Sequence, residues 1–374
     1  MSDVKAGLEG VVAGETAICS LRAEEGKLIY RGYNVHDLAE GASFEEVAYL
    51  VLFGKLPSRE EFDVFDAELK ANRSLPADFL NSLALYPSDA VPMDALRTAV
   101  SALAAYDPEV ADNSHAANLR KATRILARMA TVVAALHRLS QGLGVVPPDP
   151  GLNHAANFLY MLRGERPDEF EAKVLEVTLI LYMEHEFNAS TFAARVIAST
   201  LSDLYGAVVG AIAALKGPLH GGANEKAMDV ILEIAEPARA QGWVKSALAQ
   251  NKRIMGFGHR IYKQEDSRVA LAKKWGRLLG KQLDDTRFSD ICESVEEVMR
   301  KEKNLFPNVD FYAAPIYHMM RIPIPLNTPI FAMSRVIGWS AHVVEQIDNN
   351  RLFRPNSQYV GLEDLEFKTM AERG

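Results

Sequence analysis

Leu119-Arg-Lys-Ala-Thr-Arg-Ile-Leu-Ala-Arg-Met-Ala-Thr-Val-Val-Ala-Ala-Leu-His-Arg-Leu139 carries apolar residues at 119, 125, 129, 132, 133, 136 and 139. Steps of three and four gather these side chains on one face, which predicts an amphipathic α-helix. The stretch 169–185 repeats the spacing through Val174, Val177, Thr178 and Leu181. From about Phe44 onward the pattern stays helical, with further helices expected over 225–240, 267–279, 285–303 and 329–348. No βαβ alternation and no repeat period interrupts it. The reading is an all-α chain.

Two regions stand apart from that pattern. Residues 191–216 are rich in Ala, Val and Ile with almost no charge, and Gly206 and Gly210 lie one turn apart. They read as one buried helix, packed in the core or on a dimer seam, whose small residues let a neighbour come close. Near the start, 16–20 and 27–30 flank Glu24-Glu25-Gly26, the signature of a short β-hairpin. Gly217-Pro218, Gly221-Gly222 and the proline-rich 322–326 break the helical run near residues 220 and 321. The expected organisation is a large domain over 1–220, a smaller inserted helical domain over 221–321, and a return to the large domain over 322–374. A cleft between the two would be the natural place for a site.

With 374 residues, 48% hydrophobic and 24% charged, the composition is that of an ordinary globular protein. A net charge of −8 argues against a nucleic-acid partner. It leaves room for anionic small molecules held by local arginines. Cys19 and Cys292 are the two cysteines and form no CxxC. No signal peptide or membrane-spanning apolar run is read in the sequence, so a cytoplasmic location is expected.

Three of the nine histidines sit in unusual settings. His220 lies between Gly217-Pro218-Leu219 and Gly221-Gly222, His259 follows Gly256-Phe257-Gly258, and His185 closes a helical run. Glycines beside a histidine let backbone and ligand approach closely, and histidine suits proton work near neutral pH. The three are far apart in sequence and no HExxH is present, so no metal is expected. The glycine loop at 256–258 lacks the third glycine of a GxGxxG fingerprint and follows no strand, which removes a dinucleotide site. Asp310 reads either as a helix N-cap or as a carboxylate base in an apolar cleft. Arg335 sits in an apolar helix and needs a partner if buried; an anionic ligand or an acidic side chain would serve. Arg268, Arg351 and Arg354 are further forks that match planar carboxylates.

Gly256-Phe-Gly-His-Arg-Ile-Tyr-Lys-Gln-Glu-Asp-Ser-Arg268 resembles the signature stretch of the citrate synthase family. Pro218-Leu-His-Gly-Gly-Ala-Asn224 and Asn308-Val-Asp310 resemble its other catalytic islands. Arg31-Gly-Tyr33 and Asn350-Arg-Leu-Phe-Arg-Pro355 match as well, so the resemblance runs through almost the whole chain.

The resemblance implies an all-α homodimer without metal or cofactor that condenses acetyl-CoA with oxaloacetate and hydrolyses the resulting thioester. Asp310 would take a proton from the acyl methyl group, His220 would donate to the thioester oxygen, and His259 would serve the oxaloacetate carbonyl. His185, Arg268 and Arg335 would hold oxaloacetate, with Arg354 supplied across the dimer. The Met255, Gly256, Phe257, Gly258 loop and Lys263 would meet CoA. Two departures stand out: Ala313-Ala314-Pro315 where many relatives have Ser-Gly after the Asp-Phe-Tyr, and Ser267 in place of a common proline. The first lies near the expected acyl group and opens the use of propionyl-CoA, as in the 2-methylcitrate synthases. A metal-dependent lyase and a non-catalytic helical dimer that senses acyl-CoA or a dicarboxylate are the contrasting readings; the second has no need of a base.

Overall fold

The computed structural model describes residues 4–258 and 266–373. His259 and Lys263 therefore lie outside the described residues. Sixteen α-helices and one small sheet make up the described chain.

The centre is the helix Asn327–Asp348, 22 residues long and buried on nearly every side. Pro329 falls in its first turn, where no backbone N–H is missed. A helix apolar all round must be wrapped by others. Here His115–Ser140, Ala189–Ala198, Leu204–Leu215, Phe44–Phe53 and Glu169–Tyr182 surround it. Two of its polar side chains are tied down: Ser334 donates to the Leu179 carbonyl, and His342 meets Glu184 at 2.9 Å.

Sequence periodicity located five of the sixteen described helices to within a few residues, those at 115–140, 169–182, 269–282, 287–303 and 327–348, and ran two further pairs together. The stretch 191–216 is two helices, Ala189–Ala198 and Leu204–Leu215. Leu201 takes a left-handed φ of 65° between them, and Asp203 caps the second by accepting from the Gly206 N–H at 2.9 Å. A Cβ on Gly210 would come within 2.2 Å of Ile197, so its close neighbour is the preceding helix of the same chain. The stretch 225–240 also breaks, into Ala223–Ile234 and Pro237–Ala249. Ala235 has φ 63° there, and Pro237 starts the next helix.

The N-terminal hairpin is a three-stranded antiparallel sheet: Cys19–Arg22, Lys27–Tyr30 and Tyr33–Asn34. The third strand is two residues long, too short to leave a pattern. Tyr30 pins the sheet to the core by hydrogen bonding the Glu184 carbonyl at 2.9 Å.

Residues 223–319 supply a layer of five helices that pack chiefly on one another. Pro237–Ala249 lies on Arg287–Lys303, while Ala223–Ile234 and Val269–Gln282 flank Val309–Met319. The layer meets the rest where Ala223–Ile234 touches the central helix and Val269–Gln282 touches Glu169–Tyr182. Pro315 interrupts the Val309–Met319 helix by removing the N–H that would bond the Phe311 carbonyl; Cys292 Sγ lies 3.9 Å from that oxygen as a weak donor. Among the described residues no helix is long and apolar enough to cross a membrane.

Candidate active site

Asp310 owes its position to a loop clamped against its own helix start. Gly256 O accepts from the Asn308 N–H at 2.9 Å, Gly258 N–H donates to Phe306 O at 2.9 Å, and the Phe257 ring meets Phe311 at 4.7 Å. Gly256 has φ 85°, and a Cβ there would sit 2.8 Å from that of Phe311, so only glycine fits. Asn308 caps Val309–Met319 by accepting from the Asp310 N–H at 3.2 Å. The cap is thus Asn308, and the Asp310 carboxyl has no capping duty. Its Oδ1 instead accepts from the Tyr182 hydroxyl at 2.7 Å. Burial pushes the Asp310 carboxyl above its ordinary range, the Tyr182 hydrogen bond and the Arg268 and Arg335 charges pull it down, and Asp266 raises it.

His220 stands in the turn after Leu204–Leu215, its N–H donating to Gly217 O at 2.9 Å. Ring Nε2 lies 2.8 Å from Ser190 Oγ and 3.3 Å from the Ser190 backbone nitrogen. A backbone N–H only donates, so Nε2 is the acceptor and the ring proton belongs on Nδ1. Burial, helped by the Arg335 charge, lowers the His220 pKa to about 4. At neutral pH this is a neutral imidazole with a fixed donor. Ser190 is itself held, accepting from Trp339 Nε1 at 3.1 Å.

Phe331 links the two groups. Its ring centre is 4.4 Å from Tyr182 and 6.4 Å from His220, and the Arg335 guanidinium lies 4.7 Å over it. Arg335 is buried, with Nε donating to Tyr182 O at 2.6 Å. Arg268, also buried, forms a two-pronged bond to Asp266 at 3.0 and 2.7 Å. Asp266 further accepts the Val309 N–H at 3.2 Å, which fastens the arginine to the start of the Asp310 helix. His185 is buried beside Glu184, whose carboxylate meets His342 within an internal network of Arg195 and Glu345.

The structure thus gathers Asp310, His220, Arg268, Arg335 and the 255–258 loop in one region. Arg354 is not among them: within the chain it is exposed and donates to Pro355 O at 2.9 Å. His259 and Lys263 fall outside the described residues. Sequence reasoning passed over Tyr182, Ser190 and Asp266 as parts of the site. Asp266 stands two residues before Arg268, a spacing that suits a carboxylate folding back on a fork. Ser190 carried no signal beyond the polar run 188–191, and Tyr182 none beyond its place in an apolar helix. Among the described residues no group of three or more His, Cys, Asp and Glu is placed to hold a metal ion.

A half-buried carboxylate and a neutral imidazole donor, with two buried guanidiniums alongside, make an arrangement chemically suited to acid–base work on an anion. The family description "Citrate synthase, C-terminal domain" matches residues 7–356. A citrate synthase of Haloferax volcanii is 46% identical over 99% of both chains. A citrate/2-methylcitrate synthase of Bacillus subtilis is 46% identical over 95% of this chain and 96% of its own length. Among solved structures, a ternary complex of citrate synthase from Thermoplasma acidophilum with carboxymethyl coenzyme A and oxaloacetate superposes with a TM-score of 0.94 at 32% identity, covering all of both chains. The chain belongs to the citrate synthase family.

Proposed function

We propose that this protein condenses a short acyl-CoA with oxaloacetate and releases CoA by hydrolysis, with no metal or cofactor. The observation that carries the reading is that Asp310, through Tyr182 and Phe331, and a His220 aimed by Ser190 belong to one region. Asp310 removes a proton from the acyl α-carbon while His220 Nδ1–H donates to the thioester oxygen, where negative charge develops. The α-carbon then attacks the oxaloacetate ketone. His259 is assigned to that carbonyl on sequence alone. Arg268 and Arg335 bind the dicarboxylate with His185, and water hydrolyses the thioester.

The CoA end is assigned to the 255–258 loop and Lys263. We read 221–321 as an inserted small domain whose approach to the rest excludes water during the reaction. We infer a homodimer, and the arm after residue 354 supports that reading. The arm exposes Val360 at 90%, Phe367 at 80% and Met370 at 79%, apolar surface that a second copy would cover. The same contact would carry Arg354 into the partner's site.

Acetyl-CoA and propionyl-CoA differ by one methylene, which an apolar pocket discriminates by about 1–3 kcal/mol. The Haloferax relative is named for citrate and the Bacillus relative for both products. Citrate synthesis is the primary reading and 2-methylcitrate synthesis the second, favoured by Ala313-Ala314 near the expected acyl group. Free-thiol release from each acyl-CoA, with and without oxaloacetate, tests both. Oxaloacetate-dependent release is expected from at least one thioester, and its absence with both overturns the reading.

A further inference from the structure

Asp310 is the end of a buried chain of hydrogen bonds. Asn327 Nδ2 lies 2.8 Å from Asn224 Oδ1, Asn224 Nδ2 lies 2.9 Å from the Tyr182 hydroxyl, and that hydroxyl lies 2.7 Å from Asp310 Oδ1. The four residues come from four helices, and Asn327, Asn224 and Tyr182 are buried. We propose that Asn327, Asn224 and Tyr182 form a one-directional relay that positions Asp310 for proton abstraction. The inference rests on the reading of Asp310 as the base.

The direction follows from counting protons. Tyr182 has one hydroxyl proton, and an ionised carboxylate can only accept. With that proton given to Asp310, the phenol oxygen must accept, so Asn224 presents its NH2 group to it. The Asn224 carbonyl is then left to accept from Asn327 Nδ2. The arrangement leaves Asn327 Oδ1 buried with no hydrogen-bond partner, the cost of keeping every donor aimed the same way.

Two consequences concern the base. Tyr182 occupies Oδ1, so Oδ2 is the oxygen that receives the substrate proton. The donated bond also opposes the effect of burial. Besides Tyr182, the charged groups that face Asp310 among the described residues are Arg268 and Arg335, which favour the carboxylate, and Asp266, which opposes it. Tyr317 adds a neutral phenol nearby. Tyr182 is the neutral donor in this set, and the asparagines act through it as positioning residues.

The test measures kcat and KM against pH for the full-length enzyme, Tyr182→Phe, Asn327→Ala and the double variant, with Asp310→Asn as control. Tyr182→Phe removes one oxygen atom from a packed ring. Its acid limb should move to higher pH, since a carboxylate that loses a donor binds its proton more tightly. Its kcat should fall by about tenfold or more near that limb, with KM for oxaloacetate kept. Asn327→Ala should move the limb the same way by less, and should add nothing in the Tyr182→Phe background. An unmoved limb in folded Tyr182→Phe, or fully additive effects in the double variant, overturns the relay. Should Tyr182→Phe fail to fold, the limb of Asn327→Ala alone decides: a move to higher pH supports the relay and an unmoved limb overturns it. A fully active Asp310→Asn instead sinks the assignment of the base. Loss of turnover in Asp310→Asn with no limb shift in the others sinks the relay alone.

Discussion

Ser190 presents its hydroxyl at 2.8 Å and its backbone nitrogen at 3.3 Å to the same ring atom, Nε2 of His220. The backbone N–H, which can only donate, sets Nε2 as the acceptor and leaves Nδ1–H as the donor. Ser190→Ala keeps the backbone N–H and loses the hydroxyl, which also strips Trp339 Nε1 of its acceptor. The variant should fold with a loss of about 1–2 kcal/mol in chemical denaturation. Its kcat should drop by roughly tenfold, with KM for oxaloacetate little changed, as expected for a donor used in the transition state.

His220 also writes itself into acid stability. Its pKa falls from 6.5 to about 4 on folding, so the unfolded chain binds more protons between those values. The neutral ring favours the fold above pH 6.5, and that contribution fades as pH drops toward 4. A fall from 6.5 to 4 corresponds to about 3 kcal/mol at most. His154 is lowered by burial as well, so the wild type alone does not isolate one ring. The difference between wild type and His220→Gln does: the variant should lose less stability between pH 6.5 and 4 in denaturant titrations.

Asp266 and Arg268 form a buried pair, and removing the carboxylate takes a two-pronged charge-assisted bond from the guanidinium. Asp266→Asn should destabilise the fold by about 3 kcal/mol, seen as a lower Tm. It should also weaken oxaloacetate binding, because the fork loses the carboxylate that aims it and ties it to the Val309 N–H.

Arg354 is exposed and, among the described residues, bonds the neighbouring Pro355 carbonyl. Arg354→Ala should therefore leave Tm unchanged while raising KM for oxaloacetate. Mixed dimers with an Arg335→Ala subunit should regain activity at one of two sites; no regain would remove Arg354 from a cross-subunit role.

The helices were legible where the largest apolar side chains keep steps of three and four. His115–Ser140 does so and periodicity found it, although residues 121–135 are buried on almost every side. The breaks at Leu201 and Ala235 were not legible, because both are helix-compatible residues in left-handed conformations that tertiary contacts impose. The site divides the same way. His220 stands among glycines that mark a turn, and Asp310 follows Pro307, so both left a trace in the sequence. Tyr182 did not. It sits in a helix buried through nearly its whole second half, and its role comes from a contact with a residue 128 positions away. The ring that carries the site's neutral donor and the helix that carries its base are joined only by folding.

The account stands on Asp310 as the base of an oxaloacetate-dependent condensation. Its most direct test is thiol release from acyl-CoA by Asp310→Asn, with oxaloacetate affinity measured by calorimetry on the same sample. Wild-type affinity with turnover reduced by about 10²-fold or more is the predicted result. Turnover near that of the wild type would contradict it.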